Sequence, residues 1–129
     1  MQQIKQKPFH KGHHIVFKFA WEGIVYAFNS QPNLKVHFSL ALIAIFFGFI
    51  FQISLTEWAT LVLVIFLVIV AEMFNTAMEE AVNTASKEWS QEAKHAKDST
   101  AGAVLFAAIG SIIVGALIFL PHFLKYIGF

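Results

Sequence analysis

The feature that most constrains this chain is an uncharged run that ends at a carboxylate. No residue from Trp58 to Ala71 is charged, and Glu72 follows directly. At 100° per residue on an α-helix, the polar residues from Glu72 onwards fall within about a third of the circumference. We define this polar stripe as Glu72, Asn75, Thr76, Glu79 and Asn83. Solvation beyond a membrane would account for Glu79 and Asn83, but a carboxylate beside an apolar span usually has a function.

The composition predicts a small membrane protein with one domain over residues 1–129, and the helical periodicity of the chain predicts the all-α class. The chain is 57% hydrophobic and 13% charged, and it contains 15 phenylalanines, which is too apolar for a soluble domain of this size. A formal net charge of +1 gives no indication of a nucleic-acid partner. The absence of cysteine excludes disulfides and thiolate metal sites. All basic residues are lysines, so phosphate binding would depend on point charges and backbone N–H groups.

Hydrophobic periodicity predicts a surface helix over about 13–28 and three transmembrane helices over about 37–54, 58–86 and 99–120. Pro32 separates the surface helix from the first span. The charged segment 87–98 is predicted to be the loop before the third span, whose first turn Asp98 or Ser99 would cap. Three spans per chain would leave the polar stripe facing lipid in a monomer, so we predict an oligomer that encloses it.

The lysine distribution predicts the orientation in the membrane. Five lysines precede or begin the first span and three lie in segment 87–98, whereas the 52–57 turn has none. The positive-inside rule therefore places the N-terminus and the long loop in the cytoplasm and the C-terminus outside.

Two carboxylates of the stripe are predicted to have separate roles. Glu72 and Glu79 are seven residues apart, about 10 Å along a helix, so one ion cannot easily bind both. Glu72 lies deeper, where a carboxylate beside lipid is a good proton acceptor for a membrane-embedded group. Glu79 offers the hard oxygen that Mg²⁺ prefers.

The segment Lys97-Asp98-Ser99-Thr100 is predicted to begin the third helix and to form an anion site from a lysine and free N–H groups. The alternative is an ordinary helix cap beside a lysine. Together with a magnesium-type carboxylate and a base, the segment favours phosphoryl transfer. Trp89 could stack on a base or anchor at the interface. Residues 1–12 are predicted to form a loose basic arm. The histidines in or next to this arm, His10, His13 and His14, are interpreted as solvated or headgroup-facing, and His37 as a headgroup contact at the start of the first span.

Two motifs carry a family resemblance. Glu72-x-x-Asn75-Thr76-Ala77-x-Glu79, followed by Ala96-Lys97-Asp98-x-x-Ala101, resembles the small prokaryotic diacylglycerol kinase family, which includes undecaprenol kinases. The resemblance implies a homotrimer in the bacterial cytoplasmic membrane that transfers the γ-phosphate of ATP to a lipid hydroxyl. It implies that Glu72 is the general base, supported by Asn75, and that Glu79 is a Mg²⁺ ligand. It places Trp21 and Glu72 at the lipid substrate. The residues that it implies for ATP binding are Glu79, Glu88, Trp89, Lys97 and Asp98.

Two departures from the family pattern leave an alternative open. Gln31 occupies a position where the family normally has a glutamate that helps to bind the metal, and Asn83 stands where an aspartate is usual. An amide is a weaker Mg²⁺ ligand than a carboxylate. The alternative to a lipid kinase is therefore a non-enzymatic trimeric membrane scaffold. The sequence leaves the choice between diacylglycerol and undecaprenol open.

Overall fold

The computed structural model describes residues 16–128, and helices account for nearly all of them. The four helices are α1 (Val16–Ser30), α2 (Pro32–Phe51), α3 (Leu55–Ala85) and α4 (Gln91–Tyr126). The last three are long and apolar enough to cross a membrane. The predicted all-α class, with three spans behind a shorter helix, is therefore confirmed. The predicted N-terminal arm with its three histidines and the start of the surface helix at residue 13 lie outside the described residues.

A one-residue break at Gln31 separates α1 from α2. Gln31 is extended (φ −110°, ψ 111°) and Pro32 is the first residue of α2. A residue before proline disfavours the helical region, while proline at the first helical position loses no intrahelical bond. The first span therefore begins at Pro32 and not at the predicted His37, which lies inside the helix. It ends at Phe51 because Gln52 adopts a left-handed conformation (φ 50°).

A capping box sets the start of α3. The Glu57 N–H donates to the Ser54 Oγ at 3.3 Å, and the Ser54 N–H donates to the Glu57 carboxylate at 2.7 Å. This arrangement satisfies two backbone donors that would otherwise lack partners. The helix consequently begins at Leu55, three residues before the predicted start at Trp58, and the turn from α2 is shorter than the predicted 52–57.

The predicted loop over residues 87–98 and the predicted cap at Asp98 or Ser99 are wrong. The Ser90 Oγ accepts the Ala93 N–H at 3.1 Å, so α4 begins at Gln91. Most of the following residues are good helix formers, and Lys94 pairs with Asp98 one turn later. The predicted end at Leu120 is also wrong, because α4 continues through Pro121 to Tyr126. Pro121 removes one N–H donor from the helix, and the helix continues past it.

The apolar core lies at the end of the bundle where α2 turns into α3. Ile53, Leu61 and Ile118 are buried there, and partly buried side chains of α2, α3 and α4 surround them. At the same end the His122 ring lies 3.0 Å from the Glu57 carboxylate, which connects the end of α4 to the start of α3. The polar stripe of α3 lies at the opposite end, so the core holds the three spans together without occupying it.

Among the described glycines, Gly48 is the one where an added side chain would meet a close contact. A Cβ on the buried Gly48 would lie 2.7 Å from the nearest atom of the Trp58 indole. We expect Gly48→Ala to destabilise the bundle by about 1–3 kcal/mol, because the indole must move away from the added methyl group. The measurement is equilibrium SDS unfolding in mixed micelles, followed by tryptophan fluorescence. Gly23→Ala is the control, since a Cβ there meets nothing within 4 Å. Equal stability of the two variants would contradict the prediction.

Candidate active site

The deep half of the polar stripe is buried within a single chain. Glu72, Asn75 and Thr76 are 2%, 8% and 3% exposed, whereas Glu79 is half-buried and Asn83 is exposed. The expectation that a monomer would leave the whole stripe facing lipid is therefore wrong for its deep half. Both α2 and α4 pack against α3, and the early start of α2 places His37 beside Glu72.

Glu72 has one polar side-chain neighbour. The His37 Nε2 lies 3.3 Å from the Glu72 Oε1. The Thr76 hydroxyl donates to the backbone carbonyl of Glu72 at 2.9 Å and leaves the carboxylate free. Within residues 16–128, no other side chain has a polar atom at bonding distance from this carboxylate.

His37 was not predicted to belong to this site. The sequence does carry a signal for it, because His37 lies on the packing face of α2. Leu34 and Ala41, three residues before and four residues after it, are both buried on that face. A histidine on the packing face of an apolar helix requires a polar partner on the neighbouring helix. This packing face includes His37 because α2 begins at Pro32 and not at His37.

Glu79 is the centre of a second group of contacts. Its carboxylate accepts the side-chain amide of Asn75 at 3.0 Å and that of Gln31 at 3.4 Å. The Asn75 Oδ1 is buried without a hydrogen-bond partner. The structure thus brings four predicted site residues to one end of α3, with Gln31 supplied by the break between α1 and α2.

The oxygens around Glu79 fit a hard cation that keeps other ligands. They comprise the Glu79 carboxylate and the unpartnered Asn75 Oδ1, and the Gln31 amide, which now presents its Nε2 to Glu79, would add its oxygen after turning over. In the described part of the chain no three histidine, cysteine or acidic side chains form a metal-binding group. Mg²⁺ typically takes one or two carboxylates from the protein and completes its shell with water and phosphate oxygens. This donor set is suited to that role and not to an all-protein metal cage.

A cleft of about 320 Å³ between the end of α3 and the start of α4 brings together four of the predicted ATP-binding residues. These are Glu88, Trp89, Lys97 and Asp98. Lys97 donates to the Asn83 Oδ1 at 2.6 Å, and Asp98 is paired with Lys94. Glu79 does not line the cleft. The predicted anion site on free N–H groups of residues 97–100 is wrong, because these residues lie inside α4 and their N–H groups are used by the helix.

The surface helix reaches α3 through Tyr26 and not through Trp21. The Tyr26 hydroxyl donates to the Glu80 carboxylate at 2.7 Å, and this hydrogen bond raises the pKa of Tyr26. Trp21, predicted at the lipid substrate, is 66% exposed on α1 and takes no part in the polar contacts around Glu72 and Glu79. Sequence reasoning missed the Tyr26 contact because its partner lies on another helix and nothing in the local pattern indicates it.

The chain is thus a multi-pass α-helical membrane protein with a buried carboxylate site beside a lysine-lined cleft. The prokaryotic diacylglycerol kinase family matches residues 18–119, and the chain belongs to this family. A diacylglycerol kinase of Synechocystis is 38% identical over 112 residues, which cover 86% of this chain and 64% of that protein. An undecaprenol kinase of Bacillus subtilis is 36% identical over 105 residues, which cover 81% and 85%.

The Tyr26 contact predicts that one hydroxyl holds α1 against α3. In Tyr26→Phe we expect faster backbone hydrogen exchange over α1 and unchanged exchange in the three spans, because the lost hydrogen bond is the side-chain link between α1 and Glu80. Exchange mass spectrometry in detergent or nanodiscs measures it. Tyr126→Phe is the matched control, since that tyrosine contacts Phe51 through its ring. Equal exchange of α1 in both variants would refute the assignment.

Proposed function

We propose that this protein is a lipid kinase that transfers the γ-phosphate of ATP to the hydroxyl of diacylglycerol or undecaprenol. The observation that carries the proposal is the Glu72 carboxylate, 2% exposed at the end of an uncharged span. A hydroxyl at the membrane interface can reach that depth while its apolar tail stays in lipid. Membership of a family whose relatives are named diacylglycerol kinase and undecaprenol kinase supports the same conclusion.

In the proposed reaction Glu72 acts as the general base. The carboxylate takes the proton of the lipid hydroxyl, and the hydroxyl oxygen forms a bond to the γ-phosphorus of ATP. The bond between the γ-phosphorus and the bridging oxygen to the β-phosphorus breaks, and ADP leaves with that electron pair. Glu72 then returns its proton to solvent. Asn75 supports the site by holding Glu79 through its amide.

The cleft beside α4 is proposed to hold the nucleotide. Trp89 is 80% exposed at its edge and can stack on the adenine ring. Lys97 can contact the phosphates, since the neutral Asn83 oxygen orients its ammonium group without cancelling the charge. Glu88 and Asp98 line the same cleft, although Asp98 is already paired with Lys94.

Magnesium is proposed as the cofactor, held by Glu79 with the Asn75 Oδ1 and, after the amide turns over, the Gln31 oxygen. When bound, it would neutralise the negative charge that builds up on the phosphates. The single carboxylate predicts weak binding in the absence of nucleotide, because the phosphate oxygens must complete the coordination.

The proposed setting is a homotrimer of single-domain chains in the bacterial cytoplasmic membrane. Lys35, Lys87, Lys94 and Lys97 lie at the end of the bundle that carries the site, whereas Lys125 lies near the end of α4. The positive-inside rule supports a cytoplasmic N-terminus and site and a C-terminus outside. A Cβ at Gly102, Gly110 or Gly115 of α4 meets nothing within 4 Å, so this helix can approach a neighbouring chain closely.

The decisive experiment supplies the purified protein with labelled ATP, Mg²⁺ and either lipid alcohol in mixed micelles. We expect labelled phospholipid from at least one alcohol, and a loss of at least about 100-fold in turnover for Glu72→Gln, because the amide cannot accept the proton. Glu22→Gln, which removes an exposed carboxylate of α1, should retain turnover. If neither wild type nor Gln31→Glu labels either alcohol, the proposal fails and the non-enzymatic scaffold is favoured.

The proposed metal site predicts that the Mg²⁺ concentration needed for turnover depends on the residue at position 31. Gln31→Glu places a second carboxylate near Glu79, whose contact with the Gln31 amide is now 3.4 Å. We expect the Mg²⁺ concentration for half-maximal turnover to fall in Gln31→Glu, since a carboxylate is the better ligand, and to rise in Gln31→Leu. Without divalent cations the two carboxylates repel, so Gln31→Glu should also unfold at lower SDS concentration. The same Mg²⁺ requirement in all three proteins would exclude Gln31 from the metal site.

A further inference from the structure

His37 is the side chain that meets the Glu72 carboxylate from another helix. The His37 ring is 22% exposed and the Glu72 side chain is 2% exposed. The other polar side chains nearby are engaged elsewhere, since the Asn75 and Gln31 amides bond to Glu79 and the Thr76 hydroxyl bonds to a backbone carbonyl. Among the residues that the structure describes, the orientation of the Glu72 carboxylate thus depends on a single side chain.

The closest approach of the ring is to one carboxylate oxygen. The His37 Nε2 lies 3.3 Å from Oε1, so a ring N–H that points at Oε1 leaves Oε2 free to accept a proton from a substrate hydroxyl. A buried carboxylate with no donor is costly, so the ring also keeps Glu72 at this depth. The ring itself is held by α2, where the buried Leu34 and Ala41 flank it on the packing face.

His37 also connects Glu72 to an apolar cleft. A cleft of about 220 Å³ between α2, α3 and α4 has His37 among its lining residues together with Leu40, Ala41, Val68 and Ile69. From α4, Ser111 is the polar side chain in the lining, and it is not titratable. An alcohol whose tail lies along this cleft would therefore meet the His37 ring, which lies 3.3 Å from the Glu72 carboxylate.

We propose that His37 is the positioning residue for Glu72, which it orients so that one carboxylate oxygen faces the lipid hydroxyl. This inference rests on the proposed function of the same site. It predicts that loss of the ring lowers the rate of proton removal and leaves the binding of ATP and of the lipid alcohol nearly unchanged, because neither needs the carboxylate to be aligned.

The test compares His37→Leu, His37→Gln and the matched control His122→Leu. His122 also lies against a carboxylate, 3.0 Å from Glu57, at the other end of the bundle. We expect kcat to fall about 10- to 100-fold in His37→Leu, with both KM values within about twofold of wild type. His37→Gln should recover much of the loss, since its amide N–H can donate to Glu72. His122→Leu should retain kcat when assayed below its unfolding point.

A wild-type kcat in folded His37→Leu, or an equal loss in His37→Gln, would overturn the proposal. A second measurement is independent of turnover: imidazole ¹⁵N NMR of histidine-labelled protein, with signals assigned from the His37 and His122 variants. Glu72→Gln should shift the His37 ring signals and leave those of His122 unchanged, and unmoved His37 signals would also overturn it. If wild type transfers no phosphate while the His37 signals shift, the contact is real and the proposed function is what fails.

Discussion

The burial of Glu72 against His37 is the interaction on which the rest of the site depends. A charged carboxylate at this depth is costly without a polar partner, and the partner, His37, comes from the second turn of α2. That turn is in place because the chain breaks at one residue, Gln31, and restarts at Pro32. The same break brings the Gln31 side chain to Glu79. One break before a proline thus places His37 beside Glu72 and Gln31 beside Glu79.

The two ends of the bundle have different roles: one stabilises the packing of the spans, and the other carries the polar site. At one end, the apolar cluster around Ile53 and the capping box of α3 fix the angle between the spans. At the other end, the polar groups are buried but incompletely satisfied, as the orphaned Asn75 Oδ1 shows. Such unsatisfied groups are rare in structural regions and are expected where a ligand completes the bonding. The core can hold α2, α3 and α4 while the polar end remains open to substrate.

Local pattern was enough to predict the helices and the polar stripe, because both follow from periodicity along one segment. Glu72, Asn75 and Glu79 could be selected in this way, since one helix carries all three. His37 and Tyr26 could not, because their partners lie on a different helix and only the packing brings them together. The start of α4 was misplaced for another reason. Charge in segment 87–98 suggested a loop, but the cap at Ser90 and the helix-forming residues after it outweighed that signal.

Gln31 and Asn83 are amides at positions where the family resemblance predicts acids. They have opposite effects on the proposed nucleotide site. At Gln31 the missing carboxylate removes a hard ligand beside Glu79 and weakens the attraction for a cation. At Asn83 the missing carboxylate leaves Lys97 held by a neutral oxygen at 2.6 Å, so its charge stays available. The cleft there is lined by three lysines, Lys87, Lys94 and Lys97, against the two carboxylates of Glu88 and Asp98. An aspartate at 83 would cancel this excess of positive charge. In the proposed reaction, lysine therefore contributes more, and the metal less, to holding a polyphosphate.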